Sequence, residues 1–116
     1  MNNYHCGHWA EFVALAFLRL KGYRKVAANF VTGRGTGAGE IDLIVRRGKT
    51  IVFVEVKKRA DLTAAACAVE IRQQERIRRA AEVFLSRNSA YTGWDVRFDA
   101  VLVYPPFGLR HIKNAF

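Results

Sequence analysis

Cysteine, long apolar runs and acidic side chains are all scarce in this chain. Its two cysteines, Cys6 and Cys67, show no framework spacing, which excludes a disulfide-held scaffold and fits a reducing, cytoplasmic setting. No uncharged stretch approaches the roughly 18 residues that a membrane helix needs. The opening "MNNYHCGHWAEF" lacks a basic segment followed by an apolar core, so neither export nor a membrane partner is signalled. Ten Asp and Glu stand against nineteen Lys and Arg, a formal charge of +9. That imbalance favours a polyanionic partner, because clustered Lys and Arg release counterions from a phosphate backbone. A basic protein seated on a ribosome would share it.

What is present is globular. Hydrophobic residues make up 51% and charged residues 25% of 116 residues, which predicts one domain, 1–116, burying roughly two-thirds of the surface its unfolded form would expose. From Gly7 to Lys21, the positions Ala10, Val13, Ala14, Phe17 and Leu18 trace a helix face, and Gly22 stands where a C-terminal cap would. Tyr23 to Val31 reads as a strand. "TGRGTGAG", with four glycines in eight residues, is a loop. It leads into a strand and lacks Gly-Lys-Ser/Thr, so it does not read as a nucleotide-binding loop. Strands follow at Glu40 to Val45 and Thr50 to Lys57, joined by "RRGK" with Gly48 in the turn. A second helix spans roughly Val69 to Arg87, and Val96 to Tyr104 is a strand stopped by Pro105 and Pro106. The end, "RHIKNAF", adds an edge strand or packs back. This order predicts an α/β or α+β fold with helices flanking one mixed sheet.

The stretch "GEIDLIVRRGKTIVFVEVKKR" places charges in the most apolar part of the chain. Alternation puts Glu40, Asp42 and Ile44 on one side of a strand and Ile41, Leu43 and Val45 on the other, while Glu55 and Lys57 point together. A tight "RRGK" hairpin would set Asp42 opposite Phe53 and diagonal to Glu55, within about 7–8 Å. Ionised carboxylates in an apolar strand are costly unless paired or bound to a metal. Oxygen donors without nearby His or Cys point to Mg²⁺ or Mn²⁺. Lys57 could then orient or deprotonate a water, or stabilise charge growing on a phosphate. Residues 1–60 hold only four carboxylates, Glu11, Glu40, Asp42 and Glu55, against eleven Lys and Arg. Glu11 lies beside the apolar stripe of the first helix, whence it could reach the same site. Cross-strand ion pairs on an exposed face would produce the same spacing.

"GHWAEFVALAFLRLKGY", "GEIDLI", "FVEVKKR", "RFDAVLV" and "HIKNAF" together resemble the YraN-type family of small bacterial proteins. That family is similar to Holliday-junction resolvases and belongs to the PD-(D/E)xK nuclease superfamily. The resemblance spans nearly the whole chain and implies a restriction-endonuclease-like core. It implies that Asp42 and Glu55 bind the metal, that Lys57 is the catalytic lysine and Glu11 the helix-borne acid, with Glu40 an accessory acid. Such nucleases cut a phosphodiester by in-line attack of a metal-activated water. The chain departs from the pattern at Gln73, where relatives carry Lys in the second helix. Ala10 replaces a small Gly, and the glycine loop is longer than usual.

Nucleic-acid contacts are expected from Gln73, from Arg72, Arg76 and Arg79, which form a helical stripe, and from Arg34, Lys58 and Arg59. The stripe could equally be a solvated face braced by Glu75 with Arg79 and Arg78 with Glu82. "RRGK" is expected to add positive charge near the acids. "HCGH" offers three soft-metal ligands and lacks the fourth that structural zinc needs. Trp9, Tyr91 and Trp94 could stack on unpaired bases, though packing explains them as well. Two functions follow: a Mg²⁺- or Mn²⁺-dependent endonuclease acting on DNA, branched or single-stranded, or a nucleic-acid-binding module that does not cleave. A homodimer fits the first, since junction cutters commonly pair two sites by twofold symmetry.

Overall fold

The computed structural model describes residues 3–32, 39–58, 71–104 and 108–116, with side chains from residue 9 onward. Helix α1 runs Asn3–Leu20, starting four residues before the glycine expected to open it. It ends as its sequence dictates. Gly22 adopts φ +94, its N–H donates to the Arg19 carbonyl, and the Tyr23 N–H donates to that of Leu18, both at 3.0 Å. This is a Schellman cap, and Tyr23 and Leu18 pack in the same buried cluster, as such caps favour.

The strands are β1 (Arg24–Phe30), β2 (Ile41–Arg47), β3 (Thr50–Lys58), β4 (Asp95–Tyr104) and β5 (Gly108–Ile112), and helix α2 is Ile71–Arg87. Residues 69 and 70, expected to open α2, lie outside the described residues. The five strands form one mixed sheet in the order β1-β2-β3-β4-β5. All neighbours are antiparallel except β3 and β4, which run parallel in continuous register from Thr50↔Asp95 to Lys58↔Val103. A parallel pair cannot be joined by a hairpin, and α2 lies in the connection between them. The terminal segment does form an edge strand, β5.

Each helix covers one sheet face. Ala10, Ala14 and Leu18 of α1 pack with Leu43, Val45, Val52, Val54, Val101 and Val103. Ile77, Ala80, Ala81 and Phe84 of α2 pack with Ile44, Ile51 and Phe53 on the other side. Burying a Phe53 or Ile77 completely contributes about 1.5–3 kcal/mol. Alternation fails twice, once at a bulge in β1 between Lys25 and Ala27, where Val26 and Ala27 both join the α2 cluster, and again nearer the start of β2. Phe30 pairs with Ile41 and Ala28 with Leu43, yet Phe30 and Ile41 join the α2 cluster while Ala28 and Leu43 join the α1 cluster. Both strands therefore switch faces between those pairs, at Asn29 and Asp42. Asn29 takes φ +52 there, which a short polar side chain tolerates. Ile41 thus departs from the face expected of it.

A polar network closes the α1 side. Asp99, fully buried, accepts 2.8 Å bonds on both oxygens from Arg97, one from His111 Nε2 at 2.7 Å, and one from the Asn114 N–H at 3.1 Å. Lys21 Nζ lies 2.6 Å from His111 Nδ1. A charged Lys21 must donate there, so the imidazole proton sits on Nε2 and faces Asp99. Burial alone would raise the Asp99 carboxyl, but His111, Arg97 and the Asn114 N–H outweigh it and hold it below the usual carboxylate range. The network ties the end of α1, β4 and β5 together.

Candidate active site

The site forms where β2 and β3 part. Their ladder runs from Arg47↔Thr50 to Leu43↔Val54, and one step further Asp42 would face Glu55. At that point the Asp42 side chain replaces the backbone partner: the Val56 N–H donates to Asp42 Oδ2 at 2.8 Å. Asp42 does not lie opposite Phe53, whose partner is Ile44. The cause is the turn, which is Gly48-Lys49 rather than Arg47-Gly48. Gly48 has φ +60 and Lys49 is not left-handed, the pattern of a type II′ turn. Moving a two-residue turn by one position shifts the pairing by two. The faces are kept and a diagonal acid pair becomes a directly opposed one.

Glu55 is only 5% exposed. Lys57 Nζ stands 3.6 Å from its Oε1, and the Gln73 amide on α2 donates to its Oε2 at 3.3 Å. The Asp42 carboxyl is pushed up to about 9, first by burial, then by a hydrogen bond with Glu55 and its charge, and more weakly by the charge of Glu11; the Val56 N–H opposes the rise. A carboxyl raised that far keeps its proton at neutral pH, so Asp42 stands beside Glu55 in its neutral form. Glu11 comes from α1, on the far face, and Gln73 from α2. The split between the strands lets side chains from both faces converge.

Asp42 and Asp99 are chemically opposite cases. Asp99 is surrounded by donors and stays ionised, whereas the contacts seen at the acid pair are the Lys57 ammonium on Glu55, the neutral Val56 N–H on Asp42 and the neutral Gln73 amide on Glu55. The acid pair is short of positive charge, and a divalent cation could take the place of the proton on Asp42. Its donors are carboxylate oxygens, which suits Mg²⁺ or Mn²⁺. Among the described residues no group of three or more His, Cys, Asp or Glu side chains could hold a metal ion by itself. Two carboxylates could suffice for Mg²⁺, which commonly keeps several waters and is bound by one or two carboxylates.

The other expected residues are spread more widely. Glu40 is exposed ahead of β2, and Lys58 is exposed at the end of β3. Arg72, Arg76 and Arg79 are exposed along α2. The Arg76 carbonyl accepts the Gly39 N–H at 3.1 Å, and a Cβ on Gly39 would stand 3.1 Å from that of Arg76, so glycine lets β2 start against the helix. Arg34 and Arg59 lie outside the described residues, as does the loop at 33–38 and the side chains of "HCGH". "RRGK" is not near the acids. Arg47 stands five residues along β2 from Asp42, ~17 Å at ~3.4 Å per residue, at the other end of the sheet. Tyr91 and Trp94 pack edge to face at 4.9 Å, with Tyr91 also stacked on Phe84; Trp9 is 46% exposed. Sequence reasoning misses the Asp99 network. Its only signal there is Arg97 and Asp99 two apart on a strand, the spacing Glu55 and Lys57 also have.

In comparisons with known proteins, the family model described as "Uncharacterised protein family UPF0102" matches residues 10–103. A UPF0102 protein of Methylorubrum extorquens (strain PA1) is 51% identical over 107 residues, covering 92% of this chain and 80% of that protein. The UPF0102 protein amb4503 of Paramagnetospirillum magneticum is 48% identical over 110 residues, covering 95% and 85%. Among solved structures, Hjc of Archaeoglobus fulgidus, a Holliday junction resolvase, superimposes with a TM-score of 0.58 at 16% identity, covering 92% of this chain and 76% of that one. That likeness is one of fold. Among the described residues no helix is long and apolar enough to cross a membrane.

Proposed function

The chain belongs to the UPF0102 family, and from the acid pair at the split between β2 and β3 we propose that it is a metal-dependent endonuclease hydrolysing phosphodiester bonds in DNA. The observation that carries the reading is the contrast between two aspartates, fully buried Asp99 and half-buried Asp42. Asp99 is matched by the Arg97 guanidinium, the His111 imidazole and the Asn114 N–H, whereas the Asp42 carboxyl is pushed up to about 9 beside buried Glu55. A fold built only for stability has no reason to oppose Asp42 and Glu55 at a strand split. The resolvase fold and the charge of +9 support a nucleic-acid substrate.

In this reading Asp42 and Glu55 hold Mg²⁺ or Mn²⁺. The ion would polarise the phosphate and make water near it more acidic. Gln73 fixes the Glu55 carboxylate by its 3.3 Å bond, and the Val56 N–H fixes Asp42. Lys57, 24% exposed and 3.6 Å from Glu55, stands where an ammonium can orient the attacking water or stabilise charge on the phosphate. Glu11 adds negative charge behind Asp42. Arg72, Arg76 and Arg79 on α2, with Lys58, would follow the phosphates, with Arg34 and Arg59 as further contacts. The setting is cytoplasmic, and a twofold dimer would cut two strands.

The test is incubation with branched, flapped and single-stranded DNAs plus Mn²⁺, beside Asp42→Asn and Lys57→Ala. Cleavage by the wild type and not by either folded variant supports the proposal; cleavage persisting in both refutes it. The second reading, a binding module without cleavage, draws on the neutral Gln73 in place of Lys. It predicts salt-sensitive binding with no heat of metal binding in calorimetry.

A further inference from the structure

At the end of the sheet remote from the acids, Arg19, Gly22, Tyr23, Arg24 and Lys25 line an open hollow of about 540 Å³. Its shape follows from the cap of α1. Gly22 leaves helical geometry at φ +94 and carries no side chain, and the space a Cβ would occupy lies 3.6 Å from Arg47 Cδ. Arg47 is held at the rim by two contacts: its guanidinium lies 4.9 Å over the Tyr23 ring and donates to the Lys21 carbonyl at 3.1 Å. On the strands, Arg24 pairs with Arg46 and Lys25 with Val45. Arg19, Arg24, Lys25 and Arg47 therefore crowd around one concavity.

Nothing among the described residues neutralises them. Among the described residues no carboxylate lines the hollow, and Arg19, Arg24 and Lys25 make none of the ion pairs seen there. The nearby Asp99 is fully buried and spent on Arg97 and His111. Grouped cations repel, so the cluster weakens the fold unless an anion offsets it. Three of the four cations are exposed on flexible stems and free of structural duty, which suits loose contacts along a phosphate chain more than a rigid small-molecule pocket.

We infer that this hollow is a second phosphate-binding site, which grips the nucleic-acid backbone about 10–17 Å from the bond being cut, that is, roughly three to five base pairs away at ~3.4 Å each. The inference rests on the reading that the Asp42 and Glu55 site acts on nucleic acid. Arg19, Arg24 and Lys25 each contact a phosphate, and Arg47 shapes the rim.

The experiment is binding, not cleavage. The affinity of the full chain for a 5′-labelled duplex of ~20 base pairs is measured by fluorescence anisotropy in metal-free buffer between 50 and 200 mM salt, the range over which counterion release is read. Neutralising Arg19→Gln, Arg24→Gln and Lys25→Gln together should reduce the slope of log affinity against log salt by ~2.7, at ~0.9 for each phosphate no longer neutralised. Each single change should reduce it by ~0.9, which keeps the test open should the triple variant fold poorly. Arg19→Lys with Arg24→Lys should keep the slope. An unchanged slope overturns the inference. So does a triple variant that loses only its binding to phosphatidylserine vesicles, because the hollow would then face a lipid surface. No metal is present, so the result stands whether or not the acid site cleaves; failure of cleavage with Mn²⁺ would count against the nuclease reading alone.

Discussion

Replacing Asp42 by Asn should stabilise the metal-free protein at alkaline pH and abolish its stabilisation by Mn²⁺. The Asp42 carboxyl moves from 3.8 to about 9 on folding. Between those values the folded protein keeps a proton that the unfolded chain releases, so unfolding gains as pH rises. The stability tied to this proton is complete below pH 4 and is lost progressively as pH rises toward 9. At ~1.36 kcal/mol per pH unit, a span of about five units sets a ceiling of ~7 kcal/mol. Asp42 is only half-buried, and solvent screening at the strand split reduces the expected loss to ~2–4 kcal/mol. With ~4 °C per kcal/mol for a domain of this size, the wild type should melt ~8–16 °C lower at pH 9 than at pH 5 in EDTA. Asn keeps an oxygen for the Val56 N–H and never ionises, so its melting temperature should vary much less. Mn²⁺ at a hundred times its dissociation constant should return ~2.7 kcal/mol to the wild type at pH 8 and nothing to the variant. Thermal melts by circular dichroism decide the matter. Parallel pH dependences for the two proteins, or a wild type indifferent to Mn²⁺, would refute the reasoning.

Other changes separate chemistry from scaffold. Lys57→Ala should leave the melting temperature within ~2 °C and reduce the cleavage rate ~10²–10³-fold in single-turnover assays. Gln73→Lys places a cation beside Glu55, 3.3 Å from the present amide; it should ease ionisation of Asp42 and flatten the fall of stability between pH 5 and 9. Asp99→Ala leaves the Arg97 guanidinium without its counter-charge and the His111 Nε2–H without its acceptor, and should cost ~3–5 kcal/mol by urea denaturation. Gly39→Ala presses a methyl group against Arg76 at 3.1 Å, and should cost ~1 kcal/mol and slow cleavage by displacing β2 from α2.

The features legible in the sequence are those set by local rules. The apolar periods of α1 and α2, the Gly22 cap and the strands around Gly48 depend on neighbours a few residues away, and the structure keeps them. Asp42, Glu55 and Lys57 stand out because charge interrupts apolar strands. What cannot be read depends on long-range pairing. A turn one residue later makes the diagonal acids opposed ones, and no propensity distinguishes Gly48-Lys49 from Arg47-Gly48 strongly enough. The face switch at Asn29 and Asp42 needs two strands seen together. His111 is brought to Asp99 only by β5 pairing with β4, and "RRGK" is carried away from the acids by the length of the hairpin.

The parallel pairing of β3 with β4 bears on how the molecule assembles. Asp42 and Glu55 belong to a hairpin closed by two residues, which can form in microseconds, whereas Val54 meets Asp99 only after the intervening chain has looped back. Closing that long loop is the slower event. The acids should therefore come together early, on a still-incomplete platform, and refolding should speed up when salt or cations screen their mutual repulsion. Trp94, just ahead of β4, provides a fluorescent reporter of the late step.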